Sequence, residues 1–318
     1  MKPQFASSLT AFAASALFLA ASSTTANAAD YTWDTTSGDG STITAASGTW
    51  STTGTNWNSA GSNLVWSQTS ATVASHNAIF AGADGTYTIT LSGTTNAQSV
   101  AFNNSGYTLT SGTLTLKPTS ATSGTITVAA GKTATINSIL SYTQNLFADV
   151  TVGAGGTLNL GGGIAGPGTA NPNFNFSGDG TINLSNGTFT NNSTTSRTAT
   201  YGNAVINLTS GTHAITPGNN AGANISSNAR NVAYNLLGGT LTLNGSGTSP
   251  TVANAHLGIG NTTGTAFVST LNVSSGSMYV GTIASTAGEI RISGTAASNG
   301  TLNVSGGTVT VGTGKTEH

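Results

Sequence analysis

A strand motif that returns at a fixed interval limits this chain more than any other feature. Val128-Ala129-Ala130-Gly131 recurs as Val152-Gly153-Ala154-Gly155, 24 residues on. Thr133-Ala134-Thr135-Ile136 recurs at the same interval as Thr157-Leu158-Asn159-Leu160, Thr181-Ile182-Asn183-Leu184 and Val205-Ile206-Asn207-Leu208. Each motif alternates apolar and polar residues, the period of a half-buried strand. A single strand of this kind cannot bury its apolar side, but stacked copies can. The stacked core strands are therefore expected to carry Leu158, Leu160, Ile182, Leu184, Ile206 and Leu208. Asn159, Asn183 and Asn207 should then form an outward column, placed to hydrogen-bond along the stack as amide ladders do. A 24-residue coil measures roughly 80 Å around at about 3.3 Å per residue, which suits a three-sided turn of a solenoid.

A longer repeat follows. Leu271-Asn272-Val273-Ser274-Ser275-Gly276 matches Leu302-Asn303-Val304-Ser305-Gly306-Gly307, and Val280-Gly281 matches Val311-Gly312 at the same shift of 31. Leu241-Thr242-Leu243 is placed about one similar period earlier. Gly and Asn flank the motifs and permit the positive φ of a sharp corner. No stretch beyond the leader shows a helical period. A membrane barrel would need longer alternating runs and aromatic girdles, which the chain lacks. An array of β-sandwiches is the remaining architectural rival.

The chain divides into three parts. Residues 1–29 read as a signal peptide: Lys2, an apolar run from Leu9 to Ala21, and an Ala26-Asn27-Ala28 cleavage site. The run is shorter than the roughly 20 residues that span a bilayer, and no later segment is apolar enough, so no transmembrane segment is expected. Residues 30–116 hold all four tryptophans, Trp33, Trp50, Trp57 and Trp66, and read as an N-terminal cap with the first coils. Residues 117–318 read as the repetitive solenoid. Export implies an extracellular or outer cell-surface location. Only 5% of residues are charged, with a net charge of −1, so there is no basic field to attract nucleic acid. Such low charge favours self-association. Without cysteine, stability must come from burial and backbone pairing, not disulfides.

Gly-Thr-Leu-Thr-Leu (112–116 and 239–243) and Leu302-Asn303-Val304-Ser305-Gly306-Gly307-Thr308-Val309-Thr310-Val311-Gly312 resemble autotransporter-associated β-strand repeats. The stretch with Trp50, Asn56-Trp57, Trp66, Ala78-Ile79-Phe80 and Gly106-Tyr107-Thr108-Leu109 is similar to the start of large exported proteins carrying such units. The resemblance covers most of the chain beyond the leader. It implies an all-β, right-handed parallel β-helix of the pectin-lyase-like type, secreted or displayed at the surface, with no known catalytic residues. The chain departs from a self-sufficient autotransporter in having neither a terminal barrel nor a sorting helix before Gly314-Lys315-Thr316-Glu317-His318. The expectation drawn from this is a truncated product, or an end that docks on a partner.

Little in the sequence suggests chemistry. β-Helix lyases and hydrolases need clustered carboxylates with basic partners. Asp179, Arg197 and Arg230 would meet only if the coil register aligned them. Asp34 and Asp39-Gly40 lack the ligand spacing of a calcium loop, and His76, His213, His256 and His318 are isolated. No catalytic, cofactor-binding or metal residues are assigned, and no cofactor is expected. The tryptophans are the one site candidate: either a hydrophobic cap over the first coil, or a surface that stacks on sugars. The leading expectation is a structural or adhesive surface solenoid that is not an enzyme, with surface glycans or other matrix proteins as partners. A glycan-binding module using the tryptophans is the alternative, and a polysaccharide lyase or hydrolase is a third reading by fold analogy alone.

Overall fold

A computed structural model describes residues 28–67, 76–118, 124–142, 148–165, 174–192, 203–216, 223–224, 231–243, 254–259, 267–281, 287–292 and 298–312. Among these residues the strands form four sheets, of eight, ten, nine and three strands. One coil shows the plan. Gly124–Val128 lies in the first sheet, Thr133–Ile136 in the second and Ile139–Tyr142 in the third. Each pairs in parallel with its counterpart in the next coil, at Ala148–Val152, Thr157–Leu160 and Ile164–Ala165. The protein is thus a parallel β-helix, a solenoid with three principal faces. The ten strands of the second sheet, from Gly48–Trp50 to Ser298–Val304, extend on the order of 45 Å along the axis at about 4.8 Å per strand.

The predicted register holds at atomic level. Leu158 pairs with Ile182 and Leu160 with Leu184, and the next step aligns Ile182 with Ile206 and Leu184 with Leu208. All six are buried. Tyr234 and Leu236, then Leu271 and Val273, continue the two columns. Burying each such side chain contributes about 1.5–3 kcal/mol, and each coil supplies the apolar surface its neighbour needs.

The placement of Leu241-Thr242-Leu243 requires correction. Thr240–Leu243 is a third-sheet strand, and Leu241 pairs with Met278. The second-sheet partner of Leu271 is Tyr234, 37 residues earlier. An alternating Thr-Leu-Thr-Leu run looks the same on either face, so periodicity alone misassigned it by one side of the coil.

The corner between the second and third sheets explains one column of glycines. Gly211, Gly239, Gly276 and Gly307 all have φ between +71° and +79°. A Cβ on Gly239 would lie 2.5 Å from the Gly211 carbonyl oxygen, and one on Gly276 would lie 2.5 Å from that of Gly239. Both the left-handed backbone and the close approach of successive corners therefore demand glycine. At the other end the first sheet changes direction. Trp57–Ser59 pairs antiparallel with both Asp30–Trp33 and Ser62–Leu64, across a tight turn with positive φ at Ala60 and Gly61. This hairpin lies beyond Asp30–Trp33, and Ser62–Leu64 ends the first sheet. At the opposite end, Val304 and Val311 are 54% and 40% exposed, whereas their counterparts Val273 and Val280 are fully buried.

His213, on the third sheet, is buried in the core with Nδ1 2.7 Å from the Tyr234 hydroxyl of the second sheet. Burial holds its pKa down at about 4. Above pH 6.5 both the folded and unfolded forms carry neutral imidazole, so stability is complete there. As pH falls from 6.5 towards 4 the unfolded chain takes up a proton that the folded chain refuses, and stability is lost. The loss is about 3 kcal/mol in all. Denaturant melts should show a steeper pH slope in the native chain than in His213→Phe, which keeps only the smaller contribution of His76, also lowered by burial; equal slopes would exclude it. Gly239→Ala is expected to cost about 1–2 kcal/mol from backbone strain alone, with the contact against the Gly211 carbonyl added to it, read as a lower melting temperature.

Candidate functional site

Two features could serve a function: the aromatic head of the solenoid and the polar columns on its outer faces. The tryptophans meet in one cluster. Trp50 lies 4.7 Å from Trp57 and 4.9 Å from Trp66, and Trp57 lies 4.6 Å from Trp66 and 5.2 Å from Trp33, ring centre to ring centre. The pairs are mostly edge-to-face, the arrangement favoured by aromatic quadrupoles. Phe80 joins Trp57 and then stacks on Phe102 at 5.1 Å, carrying the aromatic column into the coils. Trp33 and Trp66 donate their ring N–H groups to the carbonyls of Ala46 and Asn96.

All four tryptophans have zero exposed surface. A ring stacks on a sugar through an exposed face, and none of the four presents one. This corrects the glycan-contact expectation for Trp33, Trp50, Trp57 and Trp66. Beside them Asp34 is also fully buried. Its carboxylate accepts hydrogen bonds from the N–H groups of Thr36 and Thr44 and from the Asn58 amide. The Asn58 amide also donates to the Gly40 carbonyl. The carboxylate therefore ties the head loops together.

The asparagines form a ladder. Asn183 donates Nδ2–H to Oδ1 of Asn159, and Asn207 to Asn183, each at 2.8 Å. The ladder is longer than the sequence repeat showed. Asn235, Asn272 and Asn303 extend it with the same 2.8 Å bonds, and Asn159 donates to Thr135 Oγ1 at its base. Every amide faces the same way, because each donates towards the N-terminal end and accepts from the C-terminal side. The 24-residue interval does not reach these members because their coils are longer, separated by 28, 37 and 31 residues; Asn272 and Asn303 lie in the 31-residue repeat, which the interval alone does not join to the first column. The Asn-between-apolar motif itself was the available signal, in Tyr234-Asn235-Leu236, Leu271-Asn272-Val273 and Leu302-Asn303-Val304.

The acidic residues are dispersed, and several join coils. Asp30 accepts from Asn77, and Asp149 from Asn175. Asp84 accepts from Asn104, the Ser105 N–H and Lys132, whose ammonium is 2.9 Å away. These bonds hold its carboxyl down at about 2, with the Lys132 hydrogen bond the main cause. Among the described residues no group of three or more His, Cys, Asp or Glu could hold a metal ion. No described helix is long and apolar enough to cross a membrane. Arg197 and Arg230 lie outside the described residues, so their meeting with Asp179 is not seen. Asp179 itself lines a groove on the outer face of the second sheet, together with Asn203, Val205, Asn231, Ala233, Val268 and Thr270.

No family model matches the chain, and neither a curated protein nor a solved structure is significantly similar to it.

The ladder makes a specific demand at Asn207, which must both donate to Asn183 and accept from Asn235. Asn207→Asp keeps the acceptor but sets an ionised oxygen against Asn183 Oδ1. It is expected to lower stability at neutral pH by more than Asn207→Ala, which should cost about 1 kcal/mol. Acidification should narrow the gap, since a protonated carboxyl can donate. Urea melts of both variants at neutral and acid pH would show it. A gap that does not change with pH would exclude the ladder as a source of stability.

Proposed function

We propose that this chain is an exported structural and adhesive β-solenoid of the autotransporter-associated β-strand repeat type, acting outside the cell or on its outer surface and not as an enzyme. One observation carries the reading. A single apolar core runs from the Trp head to Val280, and the parallel ladders of the second and third sheets continue to the last described strands, so the molecule is built to hold distance and present faces. Its acidic side chains support the same role, because Asp30, Asp84 and Asp149 are spent on bonds between coils. The Lys2, Leu9–Ala21 and Ala26-Asn27-Ala28 pattern supports export. The low charge, 5% of residues, favours self-association, and other matrix proteins are the partners this reading names.

The test has two arms. Expressed with its leader, the chain should appear outside the cytoplasm, cleaved after Ala28 or Ala29. Purified residues 30–318 should give a β-type far-UV circular dichroism spectrum, one cooperative melt and the small-angle scattering of a rod. Retention in the cytoplasm with the leader intact would overturn the export reading. Release of unsaturated or reducing ends from uronate polymers would overturn the non-enzymatic one.

A further inference from the structure

The groove beside Asp179 has a chemistry that the structural reading does not use. Val205, Ala233 and Thr270 stand in one column of the second sheet, in strict register. Two residues upstream on the same coils, Asn203, Asn231 and Val268 form a second column. It is fixed by backbone bonds from the Asn231 N–H to Asn203 Oδ1 and from the Val268 N–H to Asn231 Oδ1, both 2.8 Å. Asp179 lies at the corresponding place one coil earlier. The columns are about 6.6 Å apart, and the four rungs reach on the order of 14 Å along the axis. The small side chain of Ala233, set between larger neighbours, makes a dent in the face. The groove is open to solvent, with a volume of about 380 Å³.

The lining has three kinds of group. Val205 and Val268 are 37% and 49% exposed and give an aliphatic floor. The Asn203 and Asn231 oxygens are taken by the backbone, so their Nδ2 groups, which have no partner among the described residues, face outward as pure donors. The Asp179 carboxylate, exposed and likewise without a partner among the described residues, is a pure acceptor. No described lining residue carries a positive charge. Among the described lining residues an anionic ligand would meet only the repulsion of Asp179, and a cationic one would find a single carboxylate. A ligand with an apolar C–H face and hydroxyls that both donate and accept matches all three groups at once.

We propose that this groove binds a neutral oligosaccharide, laid along the solenoid axis across successive rungs. The inference deepens the adhesive part of the proposed function by giving it a ligand class and a place, away from the tryptophans. The spacer role stands without it, because rod shape and export are measured with no glycan present.

The test is titration calorimetry of residues 30–318 with cello-, manno- and xylo-oligosaccharides, and with oligogalacturonate as the anionic comparison. At least one neutral oligomer should bind, and the galacturonate should not. Ala233→Trp fills the dent from the outer face and is expected to weaken binding by about tenfold or more; Asp179→Ala should weaken it several-fold. Circular dichroism melts of both variants should match the native protein, since neither residue faces the core. Failure of all three neutral oligomers, preference for the anionic one, or native affinity in Ala233→Trp would each overturn the proposal. If Ala233→Trp does not fold, Asp179→Ala decides in its place, and unchanged affinity there overturns the proposal too.

Discussion

Parallel pairing in register between successive coils is the constraint on which the rest depends. A strand such as Thr157–Leu160 offers two apolar side chains on one side and two polar ones on the other. Alone it would leave both apolar groups in water. Set against Thr133–Ile136 and Thr181–Leu184, it is covered above and below. A slip of one residue would turn Leu158 and Leu160 outward and bring Asn159 into the core. The apolar columns therefore enforce the register. The same register brings Asn159, Asn183 and Asn207 within hydrogen-bond distance, so core and ladder select one alignment.

The head of the stack answers a physical need of its own. A parallel stack leaves unpaired edges that can template further strands. At the head, the antiparallel turn through Trp57–Ser59 and Ser62–Leu64 breaks the parallel pattern, and four interlocked tryptophans fill the first coils. The last described rung keeps the parallel pattern, with Val304 and Val311 in register with Val273 and Val280. Between the ends, differences among coils create local sites. The groove exists because an Ala stands where a Thr or a Val stands on adjacent rungs.

Much of this was legible from the repeat. The core residues, the half-buried asparagines and the glycine corners all follow from alternation at a constant interval, because a coil of constant length returns each side chain to the same face. Reading failed where coil length changed. Tyr234 and Asn235 belong to the second-sheet columns, yet they lie 28 residues after Ile206 and Asn207 and 37 before Leu271 and Asn272. A search at fixed spacing steps over them and settles on the similar-looking Leu241-Thr242-Leu243. The tryptophans show a different limit: composition marks them as special, but only packing tells whether a ring faces water.

Alternation, interval and corner residues by themselves determined that this chain is an all-β solenoid with stacked apolar columns, because those properties are local and repeat with the backbone period. Only the tertiary structure decided that the tryptophans close on one another, that His213 meets Tyr234 in the core, and that Asp179, Asn231 and Val268 line one groove. These groups are separated by tens of residues of unequal coils, and their distances depend on where each coil closes, which no local pattern records.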